Sequence, residues 1–154
     1  AEHGAFTVTL RTHEGNCPPI SWQFDSDEET LTHFARMTRI FVHLKPYSLA
    51  VLDEYYSTGS PTIRHPILHY EEDRVLLKIK TEYLYGRDLL VAPVLKPKKT
   101  SWKVYLPEDE WIHVWTSRRY GKGWHVVPAP LGQIPVFYRA SSTFADLFQG
   151  IKNL

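Results

Sequence analysis

The sequence predicts two parts that differ in fold class, an α/β part followed by an all-β part. Residues 1–85 show the order strand, polar loop, helix and strand, which is typical of a βαβ unit with a parallel sheet. After residue 100, short aromatic strands alternate with turn residues at spacings of about 8–12 residues, which predicts an antiparallel β-sandwich. We therefore predict a division of the chain near residue 86, into 1–85 and 86–154.

The α/β part opens with a predicted strand. Residues 5–10, Ala-Phe-Thr-Val-Thr-Leu, are apolar or β-branched throughout, as expected of a short buried strand. A polar stretch follows, and Pro18-Pro19 then excludes both strand and helix.

Two helices are predicted next. Ser26 and Glu29 form a capping box at the start of the first, and Pro46 ends or kinks it. The second helix covers residues 47–56 and stops at Gly59, because glycine followed by proline is a common helix end. Apolar residues at spacings of three and four define one face of the first helix: Leu31, Phe34, Ala35, Thr38, Phe41 and Val42.

The remaining predicted elements are mostly short strands. A strand over residues 62–70 is interrupted by Pro66, and the apolar run 89–94 predicts a fully buried strand. The aromatic strands of the sandwich are predicted at 102–106, 111–115, 124–127 and 135–139, and a short helix is predicted at 144–151.

Composition limits the partners that we expect. The chain of 154 residues has a net charge of +1, and its one basic cluster, Lys96, Lys98 and Lys99, lies in a predicted turn, so we expect no nucleic-acid partner. No apolar stretch is long enough to span a bilayer, so we expect no membrane partner. The single cysteine, Cys17, favours a reducing compartment, and we predict a cytoplasmic location. Because the chain starts without Met and soon enters strand-like sequence, we expect a piece of a longer chain, with a processed chain as the alternative.

The candidate functional site is the polar stretch at residues 11–16, which directly follows the first predicted strand. Its side chains offer charges and hydrogen-bonding groups at a strand end. The eight histidines of the chain show no metal-binding spacing, so we expect neither a metal nor a cofactor. Cys17 has no evident base beside it, which favours an inert thiol over a nucleophile.

Several blocks of the sequence stand out together, and they include Arg11-Thr12-His13-Glu14-Gly15-Asn16, Trp22-Gln23-Phe24-Asp25, Leu44-Lys45-Pro46-Tyr47, Gly86-Arg87-Asp88-Leu89-Leu90-Val91-Ala92-Pro93-Val94 and Pro135-Val136-Phe137-Tyr138-Arg139. In this order they resemble the C-terminal third of glycoside hydrolase family 31. Within that family, the first block is most similar to bacterial α-glucosidase-like enzymes that include the sulfoquinovosidases.

The resemblance implies the C-terminal part of a retaining, exo-acting α-glycosidase that hydrolyses an O-glycosyl bond of an α-glucoside or a sulfoquinovoside. Residues 1–85 would be the last strand and helix units of a (β/α)8 TIM barrel, and residues 86–154 the β-sandwich domain that follows it. Both catalytic aspartates would lie upstream, so we expect no catalytic residue in this chain and no activity of this chain alone. The implied partners are the carbohydrate substrate and the upstream catalytic part of the same enzyme.

The resemblance also implies roles for individual residues in the polar stretch. His13 would contact a sugar hydroxyl, and Arg11 would support the substrate-binding loop through charge-assisted hydrogen bonds. Glu14 is expected to support the loop, because retaining hydrolysis needs two carboxyls about 5–5.5 Å apart and Glu14 has no local partner. Cys17 stands where relatives of this subgroup commonly carry Arg, which leaves the substrate preference open.

Two other functions stay open at this point. The chain could be a non-catalytic β-sandwich module that binds carbohydrate or a partner domain through aromatic side chains, or a truncated gene product without a function of its own. We favour a core role for these aromatic side chains. They are Trp102, Trp111, Trp115 and Trp124.

Overall fold

The computed structural model describes residues 1–13 and 20–154. Its helices are α1 (Glu2–Ala5), α2 (Glu28–His43), α3 (Lys45–Thr58) and α4 (Ala145–Gly150), with short 3-10 helices at Pro66–Leu68, Leu76–Lys78 and Ile151–Asn153. Its strands are β1 (Ile63–Arg64), β2 (Tyr83–Tyr85), β3 (Leu89–Val91), β4 (Ser101–Leu106), β5 (Trp111–His113), β6 (Arg119–Tyr120), β7 (Gly123–Pro128) and β8 (Val136–Arg139).

Two antiparallel sheets form the β part. The larger sheet has six strands in the order β1-β2-β3-β8-β5-β6, and the smaller pairs β4 with β7. Apolar side chains from both sheets meet in one cluster, so the predicted antiparallel sandwich is confirmed. The parallel pairing predicted within residues 1–85 is wrong for the described residues, because β1 and β2 pair antiparallel with each other and β2 pairs antiparallel with β3.

Strand β3 shows how the large sheet separates two cores. Leu90 belongs to the cluster between the sheets, whereas its neighbours Leu89 and Val91 belong to the cluster that the sheet forms with the helices. Side chains alternate between the two faces of a strand, so a fully apolar strand can serve both cores. Each such buried side chain contributes about 1.5–3 kcal/mol of transfer free energy.

The strand predicted at residues 5–10 is wrong. Residues 2–5 form α1, and residues 6–10 are irregular. The Thr7 hydroxyl lies 3.0 Å from the carbonyl oxygen of Gly4 and 2.8 Å from that of Thr9, so local side-chain contacts satisfy the backbone. Threonine hydroxyls often compete with a sheet in this way. Ala5 and Phe6 are nevertheless fully buried, as the apolar pattern predicted.

Helix α2 is capped by a different residue from the one predicted. The Asp27 carboxylate accepts the Thr30 backbone N–H at 2.6 Å, which makes Asp27 the N-cap. The Ser26 hydroxyl instead accepts the Gln23 N–H, at 2.7 Å, in the preceding turn. A carboxylate is a charge-assisted acceptor at the positive end of the helix dipole, which favours it over a hydroxyl.

The buried face of α2 also differs from the prediction. Met37, Ile40 and the following Leu44 are buried, whereas Leu31 is exposed and Val42 is 61% exposed. The helix carries two apolar stripes at spacings of three and four, and the sheet covers only one of them. Two members of the second stripe, Leu31 and Val42, therefore remain exposed, and the others are half-buried.

Helix α3 ends as predicted. Gly59 has a positive φ of 76° and its N–H donates to the Tyr55 carbonyl, which confirms the glycine stop. The following strand is shorter than predicted, because β1 covers two residues and a 3-10 helix begins at Pro66. The division near residue 86 stays a prediction; β1 and β2, on its N-terminal side, belong to the same sheet as β3.

Candidate functional site

An open cavity of about 650 Å³ lies between the N-terminal segment and the start of α2. One wall is polar and carries Arg11, Thr12 and His13. A second set of lining residues, the aromatic wall, comes from the segment that leads into α2 and from its first two turns: Trp22, Phe24, Phe34, Gln23, Thr30 and His33. The cavity thus combines hydrogen-bonding and aromatic surfaces.

The structure places two of the predicted site residues together. Arg11 and His13 are both exposed and both line this cavity, where a small polar ligand can reach them. Glu14 and Cys17, to which the sequence assigned loop support and a change in specificity, lie outside the described residues.

The polar wall is held on the core by the segment that precedes it. Phe6 is fully buried, and its carbonyl oxygen accepts the Tyr83 hydroxyl at 3.3 Å. The Glu2 carboxylate accepts a hydrogen bond from the Gly132 N–H, which ties α1 to the loop before β8. Residues 11–13 therefore follow a segment whose position is fixed by contacts with the core.

The aromatic wall is held by local contacts at the start of α2. The Trp22 indole N–H donates to the Thr30 hydroxyl at 3.3 Å, and the rings of Phe24 and Phe34 pack with centroids 5.2 Å apart. Trp22 is 72% exposed, although it is an aromatic side chain with one end already tethered. No site role for Trp22 was predicted; its place a few residues after the polar stretch is the signal that was available in the sequence.

Carboxylates are missing from the walls of this cavity as far as residues 1–13 and 20–154 show. Its lining contains histidines, an arginine, threonines and aromatic residues, but no Asp or Glu. Retaining hydrolysis needs two carboxyls about 5–5.5 Å apart. The described side chains can bind and orient a hydroxylated ligand, and they cannot supply that pair.

Metal binding finds no support among the described residues, which hold no group of three or more His, Cys, Asp or Glu with suitable geometry. His65 and His69 have structural contacts instead. The His65 Nε2 lies 2.8 Å from the Ile79 carbonyl oxygen, and the His69 Nε2 lies 3.0 Å from the Arg64 Nη1. Arginine can only donate, so the His69 Nε2 accepts. Burial first, and then the Arg64 charge, lower the pKa of His69.

The tryptophans of the sandwich differ in burial. Trp111 is fully buried, and its indole N–H donates to the Pro107 carbonyl at 3.1 Å. Trp102 and Trp115 are partly buried and pack against the two cores. A core role is therefore confirmed for these three tryptophans. For Trp124 the core prediction is wrong. It is 51% exposed on β7, and the Lys103 ammonium lies 4.5 Å from its ring centroid.

Within the described part of the chain, no helix is long and apolar enough to cross a membrane.

Comparison with known proteins identifies the family of this antiparallel sandwich with its helical layer. The protein-family model of the glycosyl hydrolase family 31 C-terminal domain matches residues 59–144 of this chain. The chain belongs to glycosyl hydrolase family 31.

The similar proteins include three sulfoquinovosidases. The chain is 48% identical to a sulfoquinovosidase of Escherichia coli (strain K12) over 153 residues and 44% identical to one of Agrobacterium fabrum over 155 residues; each match covers 99% of this chain and 23% of the relative. The structure of a family 31 sulfoquinovosidase from E. rectale in complex with an aza-sugar inhibitor superposes with a TM-score of 0.96 at 43% identity, covering 99% of this chain and 23% of the other. The chain thus spans about a quarter of the length of these relatives.

Proposed function

We propose that the chain forms the C-terminal part of a retaining α-glycosidase that hydrolyses an α-glucoside or a sulfoquinovoside. The observation that carries the proposal is the cavity lined by Arg11 and His13 in a chain whose backbone matches a sulfoquinovosidase with a TM-score of 0.96. The names of the relatives in E. coli and A. fabrum favour the sulfoquinovoside.

In this proposal the catalytic carboxylates come from an upstream part of the same enzyme. The described walls of the cavity contain no Asp or Glu, which is consistent with a binding wall whose chemistry is supplied from elsewhere. One upstream aspartate would protonate the glycosidic oxygen, and the other would form the glycosyl-enzyme. His13 would hold a hydroxyl of the sugar being transferred, and Arg11 would support the loop that carries it.

The proposal also assigns the part of residues 1–85 that precedes β1 to the end of a TIM barrel, since β1 and β2 belong to the sandwich sheet. Leu31 and Val42 of the second apolar stripe of α2 are exposed, as is Leu49 on α3, and these side chains would pack against the rest of the barrel. Residues 11–13 would lie at the C-terminal face of that barrel, where the active sites of such enzymes are built. The sandwich would brace the barrel from one side.

A chimera tests the proposal. The segment of the E. coli sulfoquinovosidase that matches this chain is replaced by this chain, and hydrolysis of 4-nitrophenyl α-sulfoquinovoside and 4-nitrophenyl α-glucoside is measured. We expect turnover by the chimera and none by the 154-residue chain alone. Turnover by the chain alone, or an inactive chimera that unfolds as cooperatively as the active parent enzyme, would contradict the proposal.

The role of His13 is tested in the same chimera. Replacing His13 by Ala removes the proposed hydroxyl contact, and we expect kcat/KM to fall about tenfold or more, since a hydrogen bond realised in the transition state supports both binding and rate. His33→Ala, in the same cavity but without an assigned contact, is the matched control. Equal effects of the two substitutions would refute the assignment.

A second candidate function, a non-catalytic module that binds carbohydrate or a partner domain, is favoured by one observation. Trp124 is exposed on the outer face of β7 beside Lys103. Titration of the chain with oligosaccharides tests it, because saturable binding that is lost in Trp124→Ala and kept in Trp22→Ala would favour this module.

The single cysteine supports a cytoplasmic location, which fractionation of the producing cell would test.

A further inference from the structure

We infer that Trp22 is the aglycone-binding platform of the cavity, where it stacks on the group that leaves when the glycosidic bond is cleaved. The inference rests on the proposed glycosidase function and adds a specificity-determining residue to it. The class of ligand is an α-glycoside whose aglycone presents a flat apolar face, either an aryl group or a second pyranose ring.

The Trp22 ring is exposed. Trp22 is 72% exposed at the cavity, and it lines the same space as Arg11 and His13. Burying a tryptophan removes a large apolar area from water, so a ligand that covers this ring gains more here than on a polar wall.

The Trp22 ring is already oriented by its own contacts. Its indole N–H donates to the Thr30 hydroxyl on the first turn of α2 at 3.3 Å. Thr30 in turn donates its backbone N–H to the Asp27 carboxylate, which caps the helix. A ring held by a capped helix loses little conformational entropy when a ligand stacks on it.

We expect the Trp22 ring to stack on the aglycone rather than on the sugar that is transferred. In the proposed function that sugar is gripped through its hydroxyls, and the polar wall with Arg11 and His13 provides such contacts. Trp22 lines the same cavity and is largely open to solvent. In an exo-acting enzyme, the aglycone projects from the pocket towards solvent, and so towards an exposed ring.

Packing against an upstream part of the enzyme is the competing role for an exposed tryptophan. The two roles predict different dependence on substrate. A packing residue affects all substrates equally and lowers stability, whereas an aglycone platform affects only substrates that carry a stacking aglycone.

The experiment uses the chimera with the E. coli sulfoquinovosidase and compares 4-nitrophenyl with methyl α-sulfoquinovosides. We expect Trp22→Ala to lower kcat/KM about three- to tenfold for the nitrophenyl substrate, as typical aromatic stacking energies require, and to leave it within about twofold for the methyl substrate. Trp22→Phe keeps a ring face and should restore most of the loss. Tyr56→Ala, an exposed aromatic residue on α3, is the matched control and should change neither value.

The outcomes separate this inference from the proposed function. An inactive chimera with the unaltered chain refutes the glycosidase proposal. An active chimera in which Trp22→Ala lowers kcat/KM equally for both substrates, or not at all, overturns the inference alone. An increase in KM for the nitrophenyl substrate with little change in the melting temperature supports it.

A binding measurement on the chain itself removes the dependence on the chimera. The chain has five tryptophans, so its NMR spectrum has at most five indole N–H signals, and the Trp22 signal is the one lost in Trp22→Phe. We expect 4-nitrophenyl α-glucoside to shift this signal and methyl α-glucoside to leave it unchanged. A Trp22 signal that does not respond to the aryl glycoside overturns the inference.

Discussion

Arg64 and Glu54 form a two-pronged ion pair that joins strand β1 to helix α3. The Nη2–Oε2 distance is 2.7 Å and the Nη1–Oε1 distance is 3.3 Å, and the Arg64 Nε donates to the Pro61 carbonyl at 2.6 Å. The Arg64 side chain is 1% exposed and that of Glu54 is 24% exposed. The hydrogen bonds from Arg64 hold the pKa of Glu54 below its usual range.

Replacing Glu54 by Gln leaves the buried Arg64 charge without its counter-ion. We expect the free energy of unfolding to fall by about 3 kcal/mol, as for other broken buried pairs, and urea unfolding measures it. Glu110→Gln is the matched control, because it breaks the exposed pair with Arg119, and exposed pairs contribute little. A loss of the same size in both variants would show that burial of Arg64 is not the cause.

The Tyr47 hydroxyl supports the turn between β2 and β3. It donates to the Tyr85 carbonyl at 2.7 Å and accepts the Asp88 N–H at 3.0 Å, and a Cβ at Gly86 would overlap it. Tyr47→Phe removes both of these hydrogen bonds at a buried side chain, and we expect a loss of about 2 kcal/mol in the free energy of unfolding, measured with urea. Tyr56→Phe, on an exposed ring, should change nothing. A wild-type-like Tyr47→Phe would refute the role of the hydroxyl.

Glu82 should make the chain less stable as the pH rises. Its Oε1 accepts the Tyr105 N–H at 2.9 Å, its buried Oε2 has no hydrogen-bond partner among the described residues, and burial raises the pKa of Glu82 to about 7. The folded state thus holds a proton that the unfolded state releases from about pH 4.5 upwards. The stabilisation is full below pH 4.5 and is lost, by about 3 kcal/mol, as the pH rises through 7.

Thermal melting at several pH values checks this, with Glu82→Gln as the comparison. The amide copies the neutral carboxyl, so the variant should not lose stability through this group between pH 4.5 and 7.5. If Glu82→Gln and the unaltered chain show the same pH dependence over that range, the carboxyl is not the group that titrates.

His113 should have the opposite pH dependence. Its Nδ1 lies 2.9 Å from the Thr116 hydroxyl, its buried Nε2 has no hydrogen-bond partner within residues 1–13 and 20–154, and burial lowers the pKa of His113 to about 4. Because the unfolded state takes up a proton near pH 6.5 and the folded state does not, stability is full above pH 6.5. We expect about 3 kcal/mol to be lost as the pH falls to 4.

The variant His113→Asn can keep the Thr116 contact without a titrating ring. We expect this variant to lose less stability than the unaltered chain as the pH falls from 7 to 4 (the acid limb of the stability profile), even if it is less stable at every pH. Melting temperatures measured between pH 7 and 4 check this. His125→Asn, which removes a histidine hydrogen-bonded to Gly121 at the surface, is the control and should keep the full acid limb. An acid limb unchanged in His113→Asn would contradict the assignment.

Local patterns in the sequence determined the features that depend on neighbouring residues. The glycine stop of α3 at Gly59 and the aromatic strands of the sandwich were predictable, because turn chemistry and strand alternation act over a few residues. His13 and Arg11 were chosen from a short motif, and the structure places both on one cavity wall.

Only the tertiary structure decided which elements meet, and so which groups are buried together. It replaced the strand at residues 5–10 by a helix and an irregular segment, and it selected one of two apolar stripes on α2. It also paired Arg64 with Glu54 and left Trp22 exposed in the cavity that His13 lines. Periodicity states how apolar and polar side chains alternate, but burial and charge pairing depend on contacts between distant segments, and those set the pKa values and the candidate site.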